Sequence, residues 1–310
     1  IDNFGKNVTL GRGGSDFTAS ILASVANANA LEIWTDVNGI YTANPKIVKQ
    51  SFPIKFLSYK EAMELSHFGA EVLYPPTVKP VMEKNIPVYI RNTFDNKKPG
   101  TIISVNSDSN STVKGITHIK KIALLTIEGS GMIGVPGFSK KLFDEISINN
   151  INIIMITQAS SEHSICIGIQ ESEAIKAKKL VDNAFKYEIE SNILNPCKIE
   201  DKLSIIALVG DKMKNHQGIS GKMFSALGKN NINVKAISQG SSERNITAVI
   251  DEKDVKKALN TLHERFFEKN IKQINLFIIG IGNVGSKLLN QIDQQSEYLK
   301  EKLKLKLRVI

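Results

Sequence analysis

The sequence predicts an α/β chain built in three parts, and three observations predict it. Helical stretches and short apolar strands alternate over residues 1–104. Two segments in the middle of the chain repeat each other at a fixed offset of 81 positions, from 137 to 218 and from 158 to 239. Near the end, "NLFIIGIGNVGSK" at 275–287 drives an apolar run into a Gly-x-Gly-x-x-Gly turn. The first pattern gives a parallel sheet with helices, the second two copies of one small sheet unit, and the third the strand, turn and helix that open another parallel sheet. At 310 residues and 42% hydrophobic content, the chain is long enough for two or three domains with real cores.

In chain order, "LGRGGSDFTAS" sets glycines and Ser15-Asp16 before apolar residues at helical spacing, which predicts a helix over 16–29. "LEIWTDV" reads as a strand, and Asn38-Gly39 and Asn44-Pro45 place a loop after it. "SYKEAMELSHFG" has the spacing of a helix, and "IPVYIRN" that of a strand. Pro99, Gly100 and the Ser/Asn-rich "VNSDSNSTVKG" then break the pattern, so residues 1–104 form one unit and 105–117 a linker.

The repeat occupies 118–272. "GVPGFSKKLFDEISINNINIIMITQASSEHSICIGI" and "NHQGISGKMFSALGKNNINVKAISQGSSERNITAVI" pair Gly137 with Gly218, Phe143 with Phe224, Gln158 with Gln239 and Ser160 with Ser241. Unequal insertions would have broken this register, so the two segments are copies of one supersecondary unit. Each copy reads strand, Gly-rich loop, amphipathic helix, strand, polar turn, strand. The helices carry Leu142, Phe143 and Ile146 in one copy and Phe224 and Leu227 in the other. Such βαββ units make a small sheet with helices on one face.

At the C-terminal end, Gly280, Gly282 and Gly285 stand between an apolar run and a helical one, the context a dinucleotide fingerprint needs. In "LKEKLKLKLRVI", Leu303, Leu305, Leu307 and Val309 alternate with Lys304, Lys306 and Arg308, the period of a half-buried strand. Residues 273–310 hold too little chain for the whole nucleotide-binding half-domain that such a fingerprint serves.

Composition excludes several classes. No run of 18 apolar residues is present, so no transmembrane helix is expected, and the start lacks the basic and apolar regions of a secretory signal. Cys166 and Cys197 are too few for a disulfide framework and lack metal-ligand spacing, which fits a reducing cytoplasm and no metal site. The net charge of +9 is spread thinly rather than gathered into a basic stripe with aromatics, so neither nucleic acid nor a membrane is an expected partner.

Two stretches carry candidate chemistry. Around Arg12, the glycines of "LGRGGSD" let backbone amides approach an anion, Arg12 can fork onto a carboxylate or phosphate, and Asp16 can take a cation. As a set, with Ser15 between them, they suit a zwitterion such as an amino acid, although Asp16 is also a natural N-cap. In "IWTDVNGIYTANPK", Thr35 and Asp36 stand at the carboxyl end of a strand, where open α/β sheets bind ligands, and Tyr41 and Lys46 follow on one loop. That loop is also an ordinary pair of turns.

The combination "TLGRGGSDFTA", "IWTDVNGIYTANPK", "EAMELSHFGAEVLYPPT" and "PVYIRNTF…PGT", in this order, resembles the second half of the aspartate kinase catalytic domain. The repeat with "ITQASSEHS" and "ISQGSSERN" resembles that family's two ACT regulatory modules, and "LFIIGIGNVGSKLLNQI" the opening of homoserine dehydrogenase. All three in this order resemble the bifunctional aspartate kinase/homoserine dehydrogenase family over essentially the whole chain. The resemblance implies a partial amino-acid-kinase parallel sheet, tandem ACT modules of ferredoxin-like α+β fold, and the first strands of a truncated Rossmann domain. It also implies an internal piece of a longer protein.

Residue by residue, the resemblance implies Arg12 for the α-carboxylate and Asp16 for the ammonium of L-aspartate, with Ser15 nearby. It assigns Thr35, Asp36 and Tyr41 to ATP. The family's Asp-Pro-Arg is here Asn44-Pro45-Lys46, where Lys46 can still meet a phosphate. Its Phe-Gly-Ala-Lys is here Phe68-Gly69-Ala70-Glu71, where Glu71 reverses the charge and leaves a backbone contact. The implied reaction moves the γ-phosphoryl group of ATP, with Mg2+, to the β-carboxylate of aspartate. A carboxylate needs no general base, so His67, His118, His163, His216 and His263 read as structural or surface residues. Gln158 and Gln239 are implied to bind L-threonine as effector, and Gly280, Gly282 and Gly285 to bind NAD(P). The ACT modules imply a homodimer or homotetramer. The rival reading is an effector-binding, dimer-forming module without catalysis.

Overall fold

Helix α1 (Gly14–Val25) starts two residues before the sequence predicts, because Gly13 takes a left-handed backbone with φ 71° as its N-cap in the computed structural model. It ends before position 29 because Asn27, at φ 47°, turns the chain out of the helix. The structure describes residues 5–6, 11, 13–69, 73–105, 111–132, 135–158, 164–240, 242, 244–268, 272–303 and 305–309. It divides into two bodies, residues 1–263 and 264–310.

In the first body, α1 is followed by β1 (Leu31–Thr35), β2 (Phe56–Ser58), α2 (Tyr59–His67), α3 (Pro75–Glu83), β3 (Val88–Asn92) and β4 (Thr101–Ser104). The four strands form one sheet in the order β1-β3-β4-β2. The expected parallel sheet is corrected here to a mixed one: β1 pairs with β3 and β2 with β4 in parallel, but β3 and β4 are antiparallel. A parallel crossover needs a dozen or more residues, and the connection 93–100 is too short to supply one. Ile33, Ile90 and Ile103 of the sheet pack with Ala62 and Leu65 of α2 and Val81 of α3 in one core.

Helix α2 is where the sequence places it, because Ser58 and Glu61 form a reciprocal capping box. Ser58 Oγ accepts from the Glu61 backbone N–H at 3.0 Å, and Glu61 Oε2 from that of Ser58 at 2.9 Å. Helix α3 was not expected from a stretch with three prolines. Pro75 and Pro76 occupy its first turn, where no backbone donor is needed, and only Pro80 lies inside.

The repeat contributes β5 (Gly115–Glu128), α4 (Phe138–Ile148), β6 (Ile153–Gln158), β7 (Ser164–Gln170), α5 (Ala174–Ala184), α6 (Lys186–Glu190), β8 (Lys198–Val209), α7 (Ile219–Lys229), β9 (Ala236–Ser238), β10 (Asn245–Asp251) and α8 (Val255–Phe267). Strand β5 begins at Gly115, inside the stretch the sequence suggests as linker. The six strands form one sheet in the order β6-β7-β5-β8-β10-β9.

Each copy is larger than the βαββ unit read from the sequence. A second helix, α5 or α8, follows the third strand, and a long shared strand closes the unit. The amino-terminal part of β5 pairs with the carboxyl-terminal part of β8, from Gly115↔Val209 to Ile119↔Ile205. Beyond the break, Leu125↔Ile199 continues the ladder. The breaks fall at Lys121 (φ 57°) and Lys202 (φ 56°), again 81 positions apart, so both long strands bend at equivalent residues.

The bent sheet brings its two edge strands, β6 and β9, close to each other. Its enclosed face holds Ile122, Leu203, Ile205 and Val249. Its other face carries helices: Leu142 and Ile146 of α4 and Ala177 and Val181 of α5 pack over Leu125 and Ile167. His263 of α8 is buried with its Nε2 3.0 Å from the Thr42 hydroxyl, which ties the repeat to the loop between β1 and β2, in keeping with a structural role. His163 lies outside the described residues.

The second body contains β11 (Lys272–Leu276), α9 (Asn283–Gln294), α10 (Ser296–Lys302) and β12 (Leu305–Val309). β11 and β12 are parallel, with Ile274 opposite Leu307, as the alternation in the last residues predicts. The buried strand expected through 275–279 is shifted toward the N-terminus. Pairing reaches only Leu276 opposite Val309, and Phe277, Ile279 and Ile281 are exposed.

Candidate functional site

The first group of candidates lies at the start of α1, the end of β1 and the loop that follows. β1 runs back from the end of α1 through the short loop 26–30, and Ala23, Leu31 and Ile33 share one core. The N-terminus of α1 and the carboxyl end of β1 therefore face the same edge. Ser15 and Asp16 form the first turn of α1, with Ser15 Oγ donating to Asp16 Oδ1 at 3.3 Å. A carboxylate there gains from the helix dipole. Gly13 is required on two counts, its positive φ and a Cβ position that would lie 2.4 Å from Tyr74 Cβ.

Thr35 closes β1, and its hydroxyl donates to Asp36 Oδ1 at 3.2 Å. Tyr41 forms an isolated bridge with Pro53. Lys46 is exposed, its backbone N–H bound to Asn44 Oδ1 at 2.9 Å in a local turn. Arg12 and Glu71 lie outside the described residues. Sequence reasoning missed Asn92. In the parallel register it stands beside Thr35, and its amide donates to Asn38 Oδ1 at 2.6 Å while its Oδ1 accepts from the Phe94 N–H at 2.8 Å. Its signal was its place at the end of a predicted strand.

Two clefts in the repeat form the second group. One, of about 490 Å3, is lined by Met132, Val135, Pro136, Gly137, Phe138, Ser139, Gln158 and Ile165. The other, of about 420 Å3, is lined by Met213, Asn215, His216, Gln217, Ile219, Ser220, Gln239 and Ile246. Seven residues of one cleft are matched 81 positions later in the other by residues that line it, beginning with Met132 and Met213. Gly137 (φ 109°) and Gly218 (φ 83°) are the left-handed N-caps of α4 and α7, so each cleft opens onto a helix N-terminus with unsatisfied amide donors. Gln158 ends β6 and Gln239 follows β9; both are exposed. Ser220 Oγ donates to Gln239 Oε1 at 3.2 Å. Amides at a helix end suit a carboxylate, and a primary amide can both donate to and accept from a small polar group. Val135-Pro136 in the first cleft stand where His216-Gln217 stand in the second, so the second is the more polar.

The glycines of the fingerprint hold the turn before α9. Gly280 is left-handed (φ 96°), Gly282 is the N-cap, and a Cβ on Gly285 would lie 2.4 Å from the Gly280 carbonyl oxygen. These positions fit the close backbone approach that a pyrophosphate at a helix N-terminus needs.

Cys166 and Cys197 are free thiols, and burial pushes both upward, Cys197 to about 11 with the help of Asp182. Among the described residues no His, Cys, Asp and Glu side chains form a group that could hold a metal ion, and no helix is long and apolar enough to cross a membrane.

Comparison with known proteins places families on these parts. The amino acid kinase family matches residues 1–92, and the ACT domain matches residues 125–185 and 206–266. The bifunctional aspartokinase/homoserine dehydrogenase of Haemophilus influenzae is 42% identical over 299 residues, covering 96% of this chain and 37% of that protein. This chain therefore spans well under half of that relative's length. The aspartate kinase of Clostridium acetobutylicum superposes with a TM-score of 0.75 at 32% identity, over 83% of this chain and 59% of that one. E. coli aspartokinase III superposes with a TM-score of 0.74 at 28% identity when bound to aspartate and ADP, and 0.67 at 29% when bound to lysine and aspartate. Each match covers 86% of this chain and 58% of that one.

Proposed function

Because the chain joins a segment of the amino acid kinase family to two ACT domains and is homologous to bifunctional aspartokinase/homoserine dehydrogenases, we propose that it serves an enzyme that phosphorylates the β-carboxylate of L-aspartate from ATP under feedback control by L-threonine. The observation that carries the catalytic part is the shared edge at which Asp16 begins α1 and Thr35-Asp36 end β1. On this reading Asp16 holds the substrate ammonium, with Arg12 on its α-carboxylate and Ser15 beside them. Thr35, Asp36, Tyr41, Lys46 and the backbone at Glu71 hold the nucleotide. The attacking carboxylate is already a nucleophile, so these residues orient it and offset charge rather than remove a proton. Mg2+ would come with the nucleotide and neutralise its phosphates; it keeps several waters and needs no protein cage, so the scattered carboxylates here fit it.

The regulatory part rests on the duplicated clefts. Each offers helix amides to a carboxylate and a glutamine to a short polar side chain, which suits threonine at Gln158 and Gln239. E. coli aspartokinase III was solved with lysine, and a second ammonium would need a partner that neither lining supplies among the described residues.

We read residues 1–104 as the kinase segment, 105–117 as its connection, 118–272 as the regulatory region through which copies pair, and 273–310 as the start of an NAD(P)-binding dehydrogenase domain. Gly280, Gly282 and Gly285 would cradle its pyrophosphate. Two free cysteines accord with a reducing compartment such as the cytoplasm. The test is an assay of the full-length protein for aspartate-dependent consumption of ATP, with threonine and lysine as inhibitors. Absence of aspartate dependence, or stronger inhibition by lysine, overturns this reading.

A further inference from the structure

We propose that Phe68 is a positioning residue, a plug through which the regulatory sheet senses both of its clefts and sets the end of α2. The inference rests on the proposed function and names how the regulation would reach the kinase segment. By sequence Phe68 belongs to that segment, as the C-cap of α2, yet its side chain is 7% exposed and packs with Ile122, Leu203, Ile205 and Val249 on the enclosed face of the regulatory sheet. Strand β5 holds the turn that follows. The Thr117 hydroxyl donates to the Phe68 carbonyl oxygen at 2.7 Å, and Gly69 (φ 103°) lies so near that an added Cβ would be 2.3 Å from the His118 carbonyl oxygen. At the other end of α2, Asp211 accepts from the Ser58 hydroxyl and its N–H donates to Glu61 Oε1 at 2.9 Å. Both ends of α2 are thus fastened to β5 and to the turn after β8.

The cluster around Phe68 is closed by β6, which ends in Gln158, and by β9, which leads directly into Gln239. Met155, in the cluster, lies on β6 three positions before Gln158, and Ala236, packed against it, lies three before Gln239. β6 also touches β10, the neighbour of β9, with Thr247 Oγ1 4.0 Å from Met155 Sδ. A ligand that draws in either glutamine shifts an edge strand of a close-packed core. Such cores respond by discrete repacking rather than smooth deformation. The Phe68 side chain and the Gly69 turn follow, and the chain beyond them leads to Glu71, assigned above to the nucleotide.

The experiment uses the full-length protein with Thr117→Val, Phe68→Ala and the conservative Phe68→Leu. Coupling between sites is reciprocal for binding, so in the parent protein saturation with aspartate and a non-hydrolysable ATP analogue should weaken threonine binding by about fivefold or more in calorimetry. In Thr117→Val and Phe68→Ala that difference should fall to within about twofold while threonine still binds the unliganded protein, and Phe68→Leu should restore most of it. Undiminished coupling in both variants overturns the plug. If the parent binds no threonine or does not phosphorylate aspartate, the proposed function fails instead. The clamp is then judged by amide exchange alone. At residues 65–69 exchange should rise about tenfold or more in Thr117→Val, and unchanged exchange there sinks it. Should Phe68→Ala not fold, Thr117→Val alone carries both readouts, and undiminished coupling in it overturns the plug.

Discussion

Thr117 donates its side-chain hydroxyl to the backbone carbonyl of Phe68 at 2.7 Å, so a strand of the regulatory sheet satisfies an acceptor at the end of a kinase-segment helix. That carbonyl belongs to the helix end, where the last turn leaves its oxygens without intrahelical partners. The next residue pays for the closeness in conformational freedom. Gly69→Ala would place a methyl 2.3 Å from the His118 carbonyl at a φ of 103° that side chains rarely adopt. A loss of about 2 kcal/mol or more is expected, read from the urea midpoint of the chain. A midpoint within error of the parent would show that the turn relaxes away from β5.

The other end of α2 makes an ionic prediction. Asp211 accepts from Ser58 Oγ and, at 3.0 Å, from Arg244 Nε, while its own N–H is bound to Glu61. The buried Lys114, held below the usual lysine range by burial and supported by Glu61 and Asp211, lies in the same network. Asp211→Ala leaves Arg244 and Lys114 with less opposing charge and should cost about 1–3 kcal/mol. Ser58→Ala should cost about 1 kcal/mol as a lost cap. The double variant should fall short of their sum, since the two share one hydrogen bond; strict additivity in denaturant melts would separate them.

Much of this arrangement was legible in the chain and part was not, for physical reasons. The constant offset found both clefts, because equal spacing of Gly137/Gly218 and Gln158/Gln239 survives only if each copy folds alike. The spacing of "SYKEAMELSHFG" announced α2, being a local signal, and the capping box at Ser58 and Glu61 sets where it starts. Helix α3 was hidden by its prolines, whose cost depends on position in the helix rather than on their number. The antiparallel return of β4 was set by loop length. The pairing of Ser58 with Asp211 and the burial of Phe68 in another sheet were out of reach. They join residues far apart in sequence, and nothing local distinguishes Phe68 from an ordinary helix-end aromatic.

Cys197 supplies a pH prediction. Burial, then Asp182, raises its thiol from 9.0 to about 11, so between those values the folded protein holds a proton that the unfolded chain has released. Stability from this group is therefore full below pH 9 and falls as pH rises toward 11, by about 2–3 kcal/mol in all. Cys197→Ala should flatten that part of the stability profile relative to the parent. A parent profile with no fall between pH 9 and 11 beyond that of Cys197→Ala would contradict it.

Asp16 should reveal itself in kinetics. Asp16→Asn keeps the shape of the first turn of α1 and removes the charge that would meet the substrate ammonium. In the full-length protein the KM for aspartate should rise about ten- to a hundredfold, the range of a lost charge-assisted hydrogen bond. The KM for ATP should change far less. An unchanged aspartate KM removes Asp16 from the substrate site.

The second cleft gives the sharpest test of the effector. Binding to the folded state alone stabilises by about 2.7 kcal/mol when ligand exceeds its dissociation constant a hundredfold, so threonine should raise the melting temperature of this chain. Gln239 is exposed and bonded to Ser220, which sits in the first turn of α7. Gln239→Ala should therefore leave the unliganded stability within about 0.5 kcal/mol of the parent. It should nevertheless cut the threonine shift, because the amide is the group that can both donate to and accept from a β-hydroxyl. Gln158→Ala should cut it as well, by removing the matching amide of the first cleft. Lysine should shift the parent less than threonine, since its ammonium would be desolvated against Met213 and Ile219 without a carboxylate among the described residues of the lining. A parent chain that threonine does not stabilise, or that lysine stabilises more, would refute the assignment.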